Sequence, residues 1–375
     1  MKAWVLHDIG DFRCEEVERP RICDNEVLVA VKAVGICGSD IPRVYRDGAH
    51  RMPLIIGHEF SGQVVEAGEK VEREWIGKRV GVFPLIPCRE CTPCRHSQYE
   101  MCRNYSYLGS RCDGGFAEYV AVPEWNLIEL PDSVSFEEAA MLEPMSVAVH
   151  AMRRVMPSKE DTVVVCGLGT IGTLLVMFLL DAGINNLFVI GNKEFQRQTM
   201  LQMGIANECY CDSRTSDIGK WISEHTNGAG ADVFFECVGR NETVVQAIDS
   251  TAPAGKICMV GNPYSNMELD KNTYWKILRN QLTVTGTWNS SFVHSVEDDW
   301  HYVLDRLEQG KISPSKLISH RFPLEDIEKG FQIMRDKSED YIKAMAEFPR
   351  PCTTKDFTVL PDSIKNKESP FYIER

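Results

Sequence analysis

The rhythm of apolar and polar positions changes near residue 160. Before it, short β-branched runs such as EVLVAVKAVGIC and GKRVGVF are bounded by Gly, Pro and charged residues, which predicts strands joined by turns. After it, TVVVCGLGTIG, TLLVMFLLDAGI and NLFVIG read as strand, Gly-rich turn, helix and strand. ADVFFECVG, GKICMVG and LTVTGTW predict three more buried strands, with helical stretches such as ETVVQAIDSTA between them. Strands alternating with helices predict an α/β, doubly wound parallel sheet. From about residue 290 the pattern is mixed, with a helix in EDDWHYVLDRLEQGKI that ends at Gly310. The stretch from Pro351 to Arg375 is polar and reads as a loosely held tail. No internal repeat or low-complexity tract interrupts this order.

The 375 residues are enough for two domains, each with its own core. Apolar content of 43% and charged content of 25% suit a soluble globular protein. The net charge of −13 argues against nucleic acid or an anionic membrane as the main partner, but it leaves room for a local basic pocket. No run of about eighteen apolar residues is present to span a membrane. The opening MKAWVLHDIGDFRCEEVERP carries acids early and lacks the apolar centre of a signal peptide. A cytoplasmic setting is therefore expected. In that reducing compartment the cysteines stay free, and a tight cluster of them more often binds metal.

Such a cluster stands at Cys88, Cys91, Cys94 and Cys102, in PCRECTPCRHSQYEMC. Four thiolates close-spaced on a loop suit one tetrahedral Zn²⁺ and leave it no open position, so the site is expected to be structural. An Fe–S cluster or four free surface thiols are the competing readings. Catalysis by a metal would need a second, open site. AVGICGSD offers Cys37, PLIIGHEFSGQVVEAG offers His58 and Glu59, and MLEPMSVAVHA offers Glu143. A thiolate, an imidazole, a carboxylate and an exchangeable water would leave zinc free to act as a Lewis acid on an alcohol oxygen. Spacing alone leaves each of these residues an ordinary core alternative.

CGLGTIG supplies Gly167, Gly169 and Gly172 directly after an apolar strand and at the start of a helix. That context predicts dinucleotide binding over Gly167, Leu168, Gly169, Thr170, Ile171 and Gly172, with the pyrophosphate at the helix N-terminus. The acid that would bind the ribose 2′-hydroxyl of NAD is missing at the end of the next strand. Gly191, Asn192 and Lys193 stand there, with Arg197 a turn later, which leans towards NADP over NAD. Val238 and Gly261, at the ends of later strands, are added to the cofactor set.

Taken together, these residues resemble the zinc-dependent medium-chain dehydrogenase/reductase family. GHEFSGQVVEAGEKV at 57–71 follows its signature, and GICGSD, the four-cysteine lobe, LEP at 142–144 and GLGTIG at 167–172 follow in family order. The chain is most similar to the polyol dehydrogenase group. ICGSDIPRVYRDGAH, YLGSRCDGGFAEY and KILRNQLTVTGTWN resemble its galactitol-1-phosphate 5-dehydrogenase branch.

The resemblance implies a GroES-like β-rich catalytic domain over 1–150 with a structural-zinc lobe at 87–102. It implies a Rossmann cofactor domain over 151–287, a return to the catalytic domain over 288–350, and an extension over 351–375. Cys37, His58 and Glu143 would hold a catalytic zinc, with Glu59 able to enter or leave its shell. Ser39 would touch the substrate oxygen and begin a proton relay. Trp288 and Asn289 would sit near the nicotinamide or the substrate cleft, and dimers or tetramers would be usual.

Two departures stand out. Polyol members usually carry Asp where Gly191 stands. Pro42 lies where alcohol dehydrogenases place a relay His, and His50 is either its substitute or an ordinary loop residue. The activity implied is NAD(P)-dependent interconversion of a secondary alcohol and its ketone. Arg43, Arg46, His50, Arg111, Lys276 and Arg279 are the candidate cations for a phosphorylated polyol. A bulkier secondary alcohol, a zinc-independent quinone reductase and a non-catalytic nucleotide-binding module are the alternatives. The last two lack a Cys37–His58–Glu143 set.

Overall fold

The computed structural model describes residues 1–348, so the tail expected from Pro351 lies outside the described residues. The N-terminal part is built from β1 (Lys2–Asp8), β2 (Asp11–Glu16), β3 (Glu26–Gly35), β4 (Leu54–Ile55), β5 (Glu59–Ala67), β6 (Arg79–Val82), β7 (Leu85–Ile86), β8 (Ser106–Tyr107), β9 (Tyr119–Pro123) and β10 (Leu127–Glu129). The second part carries β11 (Val163–Cys166), β12 (Leu187–Gly191), β13 (Tyr210–Asp212), β14 (Ala231–Glu236), β15 (Thr251–Met259) and β16 (Thr283–Gly286). β17 (Ile318–Pro323) and β18 (Lys343–Glu347) then return to the first part.

A seven-stranded sheet runs β10-β6-β5-β3-β18-β17, with β9 also on β3. Strand β3 is its spine, and ten mostly buried residues explain the long apolar run in the sequence. Its partners β5, β9 and β18 are all antiparallel to it. Val29, Phe60, Val64, Val80, Phe116 and Phe331 form the core of this part.

The other large sheet is fully parallel, in the order β13-β12-β11-β14-β15-β16. Val163 and Val165 of β11 face one apolar layer, and Val164 and Cys166 face the other. Helices cover both faces, which is why these strands read as continuous apolar runs. The fold is therefore the expected pairing of a β-rich GroES-like part with a doubly wound Rossmann part.

LTVTGTW departs from expectation. It forms β16, as predicted, but β16 is the sheet's edge strand and is not buried: Val284 is 45% exposed. An apolar run shows the tendency to be covered but not which surface covers it, and here one edge of the strand, with Val284, stays open. Among the described residues, no helix is long and apolar enough to cross a membrane.

The helix Leu142–Val155 ties the two parts together. It packs against the helix Thr170–Asp181 and against the helix Asp299–Glu308. Asp299, fully buried, accepts from Arg153 at 2.9 Å and lies 2.8 Å from His150 Nδ1. A hydrogen bond from Thr170 Oγ1 to the Ile342 carbonyl (2.5 Å) crosses from the cofactor turn to the segment that leads into β18.

Candidate functional site

The register of β3 against β5 pairs Gly35 with Glu59. That pairing brings the residues just after β3 alongside those just before β5. Ligand atoms of Cys37, His58 and Glu59 consequently lie within 4.8 Å of one another. The Cys37 loop is fixed locally: its N–H donates to Asp40 Oδ2 (3.0 Å), and the Asp40 N–H donates back to the Cys37 carbonyl (3.0 Å). Ser39 Oγ donates to Cys37 Sγ at 3.3 Å, so it stands beside the thiol.

Glu143 arrives on the first turn of the helix Leu142–Val155 and stands outside that three-residue set. It accepts from the Tyr107 hydroxyl at 3.2 Å, and the Tyr107 ring meets the His58 ring edge-on at 5.7 Å. His50 is exposed, and no side-chain hydrogen bond of the described residues joins it to this cluster.

The electrostatics are those of a dry site rich in anions. Burial, then Glu59 and Asp40, push the Cys37 thiol up to about 12. Burial likewise pushes Glu143 up to about 7, with His58 pulling the other way. Tyr107 is held well above its ordinary value by burial and by Glu143. His58 Nδ1 is buried without a hydrogen-bond partner, and Asp40 Oδ1 lies 3.6 Å from it. A divalent cation would supply the charge that this set calls for. Thiolate, imidazole and carboxylate donors suit zinc, and Asp40 stands where a second carboxylate steadies a ligating imidazole.

Two of the residues that complete the site were not anticipated. Asp40 lies inside the quoted GICGSD but was not singled out. Lys343 is 1% exposed, forms an ion pair with Glu59, and donates to the Ile36 carbonyl at 3.0 Å. Its one signal in the sequence is a Lys next to the apolar strand AMAEF, which does not say what it meets.

The four-cysteine lobe is compact. Cys88 and Cys94 sulfurs are 3.9 Å apart, Cys91 and Cys94 3.5 Å, and Cys91 and Cys102 3.9 Å. A zinc tetrathiolate with Zn–S bonds near 2.3 Å has edges of about 3.8 Å, so the cage fits that ion. The Cys88 N–H points at Cys102 Sγ (3.2 Å) and the Arg103 N–H at Cys91 Sγ (3.5 Å), which favours thiolates. The Arg103 and Cys94 backbone N–H groups hold Cys91 down to about 6.

At the Gly-rich turn, Gly167 has φ 100°, a conformation side chains disfavour. A Cβ on Gly172 would stand 1.8 Å from the Gly167 carbonyl oxygen, whereas one on Gly169 would meet nothing within 4 Å. The turn is therefore tight on its inner side and open at Gly169. That residue caps the helix Thr170–Asp181, whose first N–H groups are free to meet phosphate. Leu168 is buried and Ile171 partly so.

Val238 and Gly239 face this turn on a loop held by buried Glu236, which accepts their N–H groups at 2.8 and 2.9 Å. Gly261 packs against Gly239 and Val238 too closely for a Cβ. Glu236 is another residue not anticipated.

Gly191 is crowded as well: a Cβ there would stand 2.5 Å from the Tyr210 hydroxyl and 2.9 Å from Gln196 Oε1. Gln196 Oε1 accepts from the Asn192 N–H at 2.9 Å. Lys193 Nζ is 3.4 Å from Asp340, and Arg197 is engaged by Asn207 and Glu194. Arg214, also unanticipated, is held by Asp212 at the neighbouring end of β13. Trp288 is 58% exposed, and the Asn289 amide oxygen is buried without a partner.

A cavity of about 630 Å³ opens elsewhere, against β1, β2 and β9, and none of the metal or cofactor candidates lines it.

Comparison with known proteins adds to this geometry. Residues 23–132 match the alcohol dehydrogenase GroES-like domain, and residues 170–309 match the zinc-binding dehydrogenase domain. The chain is 32% identical over 322 residues to galactitol 1-phosphate 5-dehydrogenase of Escherichia coli K12, covering 86% of this chain and 92% of that one. The crystal structure of galactitol-1-phosphate dehydrogenase from Escherichia coli superposes with a TM-score of 0.86 at 30% identity, covering 92% of this chain and 100% of that one. A zinc-binding dehydrogenase from Sinorhizobium meliloti 1021 bound to NADP gives a TM-score of 0.83 at 27% identity, covering 92% and 98%.

Proposed function

The chain belongs to the zinc-dependent medium-chain dehydrogenase/reductase family, in its polyol dehydrogenase group, and on that premise we propose which of its residues carry the reaction and on what substrate. It is an NAD(P)-dependent oxidoreductase that interconverts a secondary alcohol and its ketone. The substrate is a polyol or a sugar-alcohol phosphate. The observation that carries this reading is the meeting of Cys37, His58 and Glu59 from segments apart in sequence, with Glu143 one hydrogen bond away through Tyr107.

Cys37, His58 and Glu143 would hold the catalytic zinc. Glu59 would be the neighbouring carboxylate able to enter or leave the zinc's shell, and Lys343 pairs with it on the sheet side. When bound, the zinc polarises the alcohol oxygen and the nicotinamide accepts the hydride. Ser39 receives the proton from the substrate hydroxyl and passes it outward. Asp40 steadies His58. Glu143 is buried and Cys37 and Tyr107 are half-buried, which limits water at the reacting atoms and strengthens each charge interaction there. Cys88, Cys91, Cys94 and Cys102 hold a second, structural zinc, so each chain carries two.

The dinucleotide lies over Gly167–Gly172, with Val238 and Gly261 bounding it and Gly191, Asn192 and Lys193 at its ribose. NADP is favoured over NAD by a small margin, because no carboxylate stands at Gly191 and Lys193 and Arg214 are near. The chain works as a homodimer or homotetramer. The exposed edge β16 supports this, together with Tyr274, Trp275 and Leu278 on the helix Lys271–Arg279. The thirteen described cysteines are all free, which supports a cytoplasmic setting.

The test is a panel of polyols and polyol phosphates with NAD and NADP in parallel, followed by the absorbance of the reduced nicotinamide. Zinc-dependent turnover of at least one polyol or polyol phosphate is expected. Reduction of quinones with no alcohol turnover would contradict the reading.

A further inference from the structure

Tyr107 has no part in the proposed hydride transfer, yet it touches two of the metal candidates. Its hydroxyl donates to Glu143 Oε1 at 3.2 Å. Its ring meets the His58 ring edge-on at 5.7 Å, with the planes 66° apart. Among the described residues no other group hydrogen-bonds the Glu143 carboxylate, so the phenol orients it and Oε2 stays uncommitted.

Tyr107 is itself held in place. It lies on β8 just beyond Cys102, and β8 pairs with β7 across the base of the four-cysteine lobe, Leu85 opposite Tyr107 and Ile86 opposite Ser106. The Tyr107 carbonyl accepts from the N–H groups of Ser110, Arg111 and Cys112 at 3.1, 2.8 and 3.2 Å. Its ring stands edge-on to that of Tyr105 at 6.2 Å, and the Arg111 guanidinium lies over Tyr105 at 4.3 Å. The hydroxyl therefore reaches Glu143 from a fixed point.

That fixed point matters because the donors arrive on separate elements. The register of β3 against β5 brings Cys37 and His58 together, but Glu143 comes on the first turn of the helix Leu142–Val155. Nothing in the β3–β5 register sets where the Glu143 carboxylate turns. Tyr107 supplies that link, with His58 on one side of it and Glu143 on the other.

We propose that Tyr107 is a positioning residue of the open metal site: its hydroxyl holds Glu143 Oε1 and its ring flanks His58, so that Glu143 Oε2 and the imidazole are presented to one ion. The inference rests on the dehydrogenase reading above, in which Glu143 and His58 would be ligands. A ligating carboxylate whose second oxygen is hydrogen-bonded is ordered before the ion arrives, and losing such a partner lowers metal affinity about 10- to 100-fold.

The test measures Co²⁺ affinity at the open site of the full chain with the lobe loaded with zinc, by chelator competition and by the visible absorption of the bound cobalt. Wild type, Tyr107→Phe, Glu143→Ala and the double variant are compared. Tyr107→Phe keeps the ring and removes the hydroxyl, and it is expected to weaken Co²⁺ binding at least ~10-fold and to shift the cobalt bands, with the lobe zinc retained. In the Glu143→Ala chain the same change is expected to add less than ~2-fold, because Tyr107 acts through Glu143.

Affinity within ~2-fold of wild type in a folded Tyr107→Phe chain, or an equal loss in the Glu143→Ala background, overturns the role and leaves the dehydrogenase reading intact. Should Tyr107→Phe fail to fold, Tyr107→His decides, since it keeps a ring with an N–H donor. An affinity nearer to wild type than to Glu143→Ala supports the role, and one nearer to Glu143→Ala overturns it. A wild-type chain that takes up no ion beyond the one in the lobe overturns the dehydrogenase reading and this role with it.

Discussion

Lys343 is a fully buried ammonium whose carboxylate partner, Glu59, lies 284 residues away in the chain. Breaking such a pair from one side strands the other charge in the interior. Lys343→Met is therefore expected to cost about 3–5 kcal/mol of stability, read from urea unfolding. A loss under about 1 kcal/mol would mean that Glu59 finds another counter-charge. This pair also marks a limit of reading from sequence. Cys37, His58 and Glu143 could be picked out because a thiol, an imidazole and a carboxylate sat in recognisable local motifs. The four lobe cysteines could be picked out from their spacing alone. Lys343 could not, because a long-range ion pair leaves no local pattern. Gly191 shows the same limit on the cofactor side. The missing acid was legible, but the Tyr210 hydroxyl that crowds the position was not. Gly191→Asp alone is expected to weaken both NAD and NADP in a fluorescence titration, and adding Tyr210→Phe to restore NAD binding. A clean switch to NAD by Gly191→Asp alone would count against that crowding.

Among the elements, β3 and the Gly-rich turn were legible for opposite reasons. Strand β3 is long, apolar and flanked on both sides, so its pattern matched its surroundings. The turn between β11 and the helix Thr170–Asp181 is short and sterically exacting, so its glycines stood out. Strand β16 was found, but its burial was misjudged, because an apolar run does not say which surface covers it. With Val284 exposed, β16 presents an unpaired sheet edge, a surface prone to pairing with another chain. If a second copy covers it, Val284→Lys should shift the chain towards monomer in light scattering, with the cofactor turn undisturbed. An unchanged assembly would place the interface elsewhere, and a monomeric wild-type chain would remove it.

On the scale of the whole molecule, the β-rich part carries the metal donors and the parallel sheet carries the dinucleotide turn. The helix Leu142–Val155 belongs to both, with Glu143 at its start and the cofactor helix packed along it. On the proposed reading, the chemistry would depend on one open metal position built on Cys37, His58 and Glu59 with Glu143 beside them, and on a closed sulfur cage that would hold a lobe of the chain in place. Counting metal in the purified chain separates the two sites most directly. The account predicts two zinc ions per wild-type chain. It predicts one in Cys37→Ala, with alcohol turnover lost and dinucleotide binding retained. A single zinc in the wild-type chain, unaltered by Cys37→Ala, would contradict it.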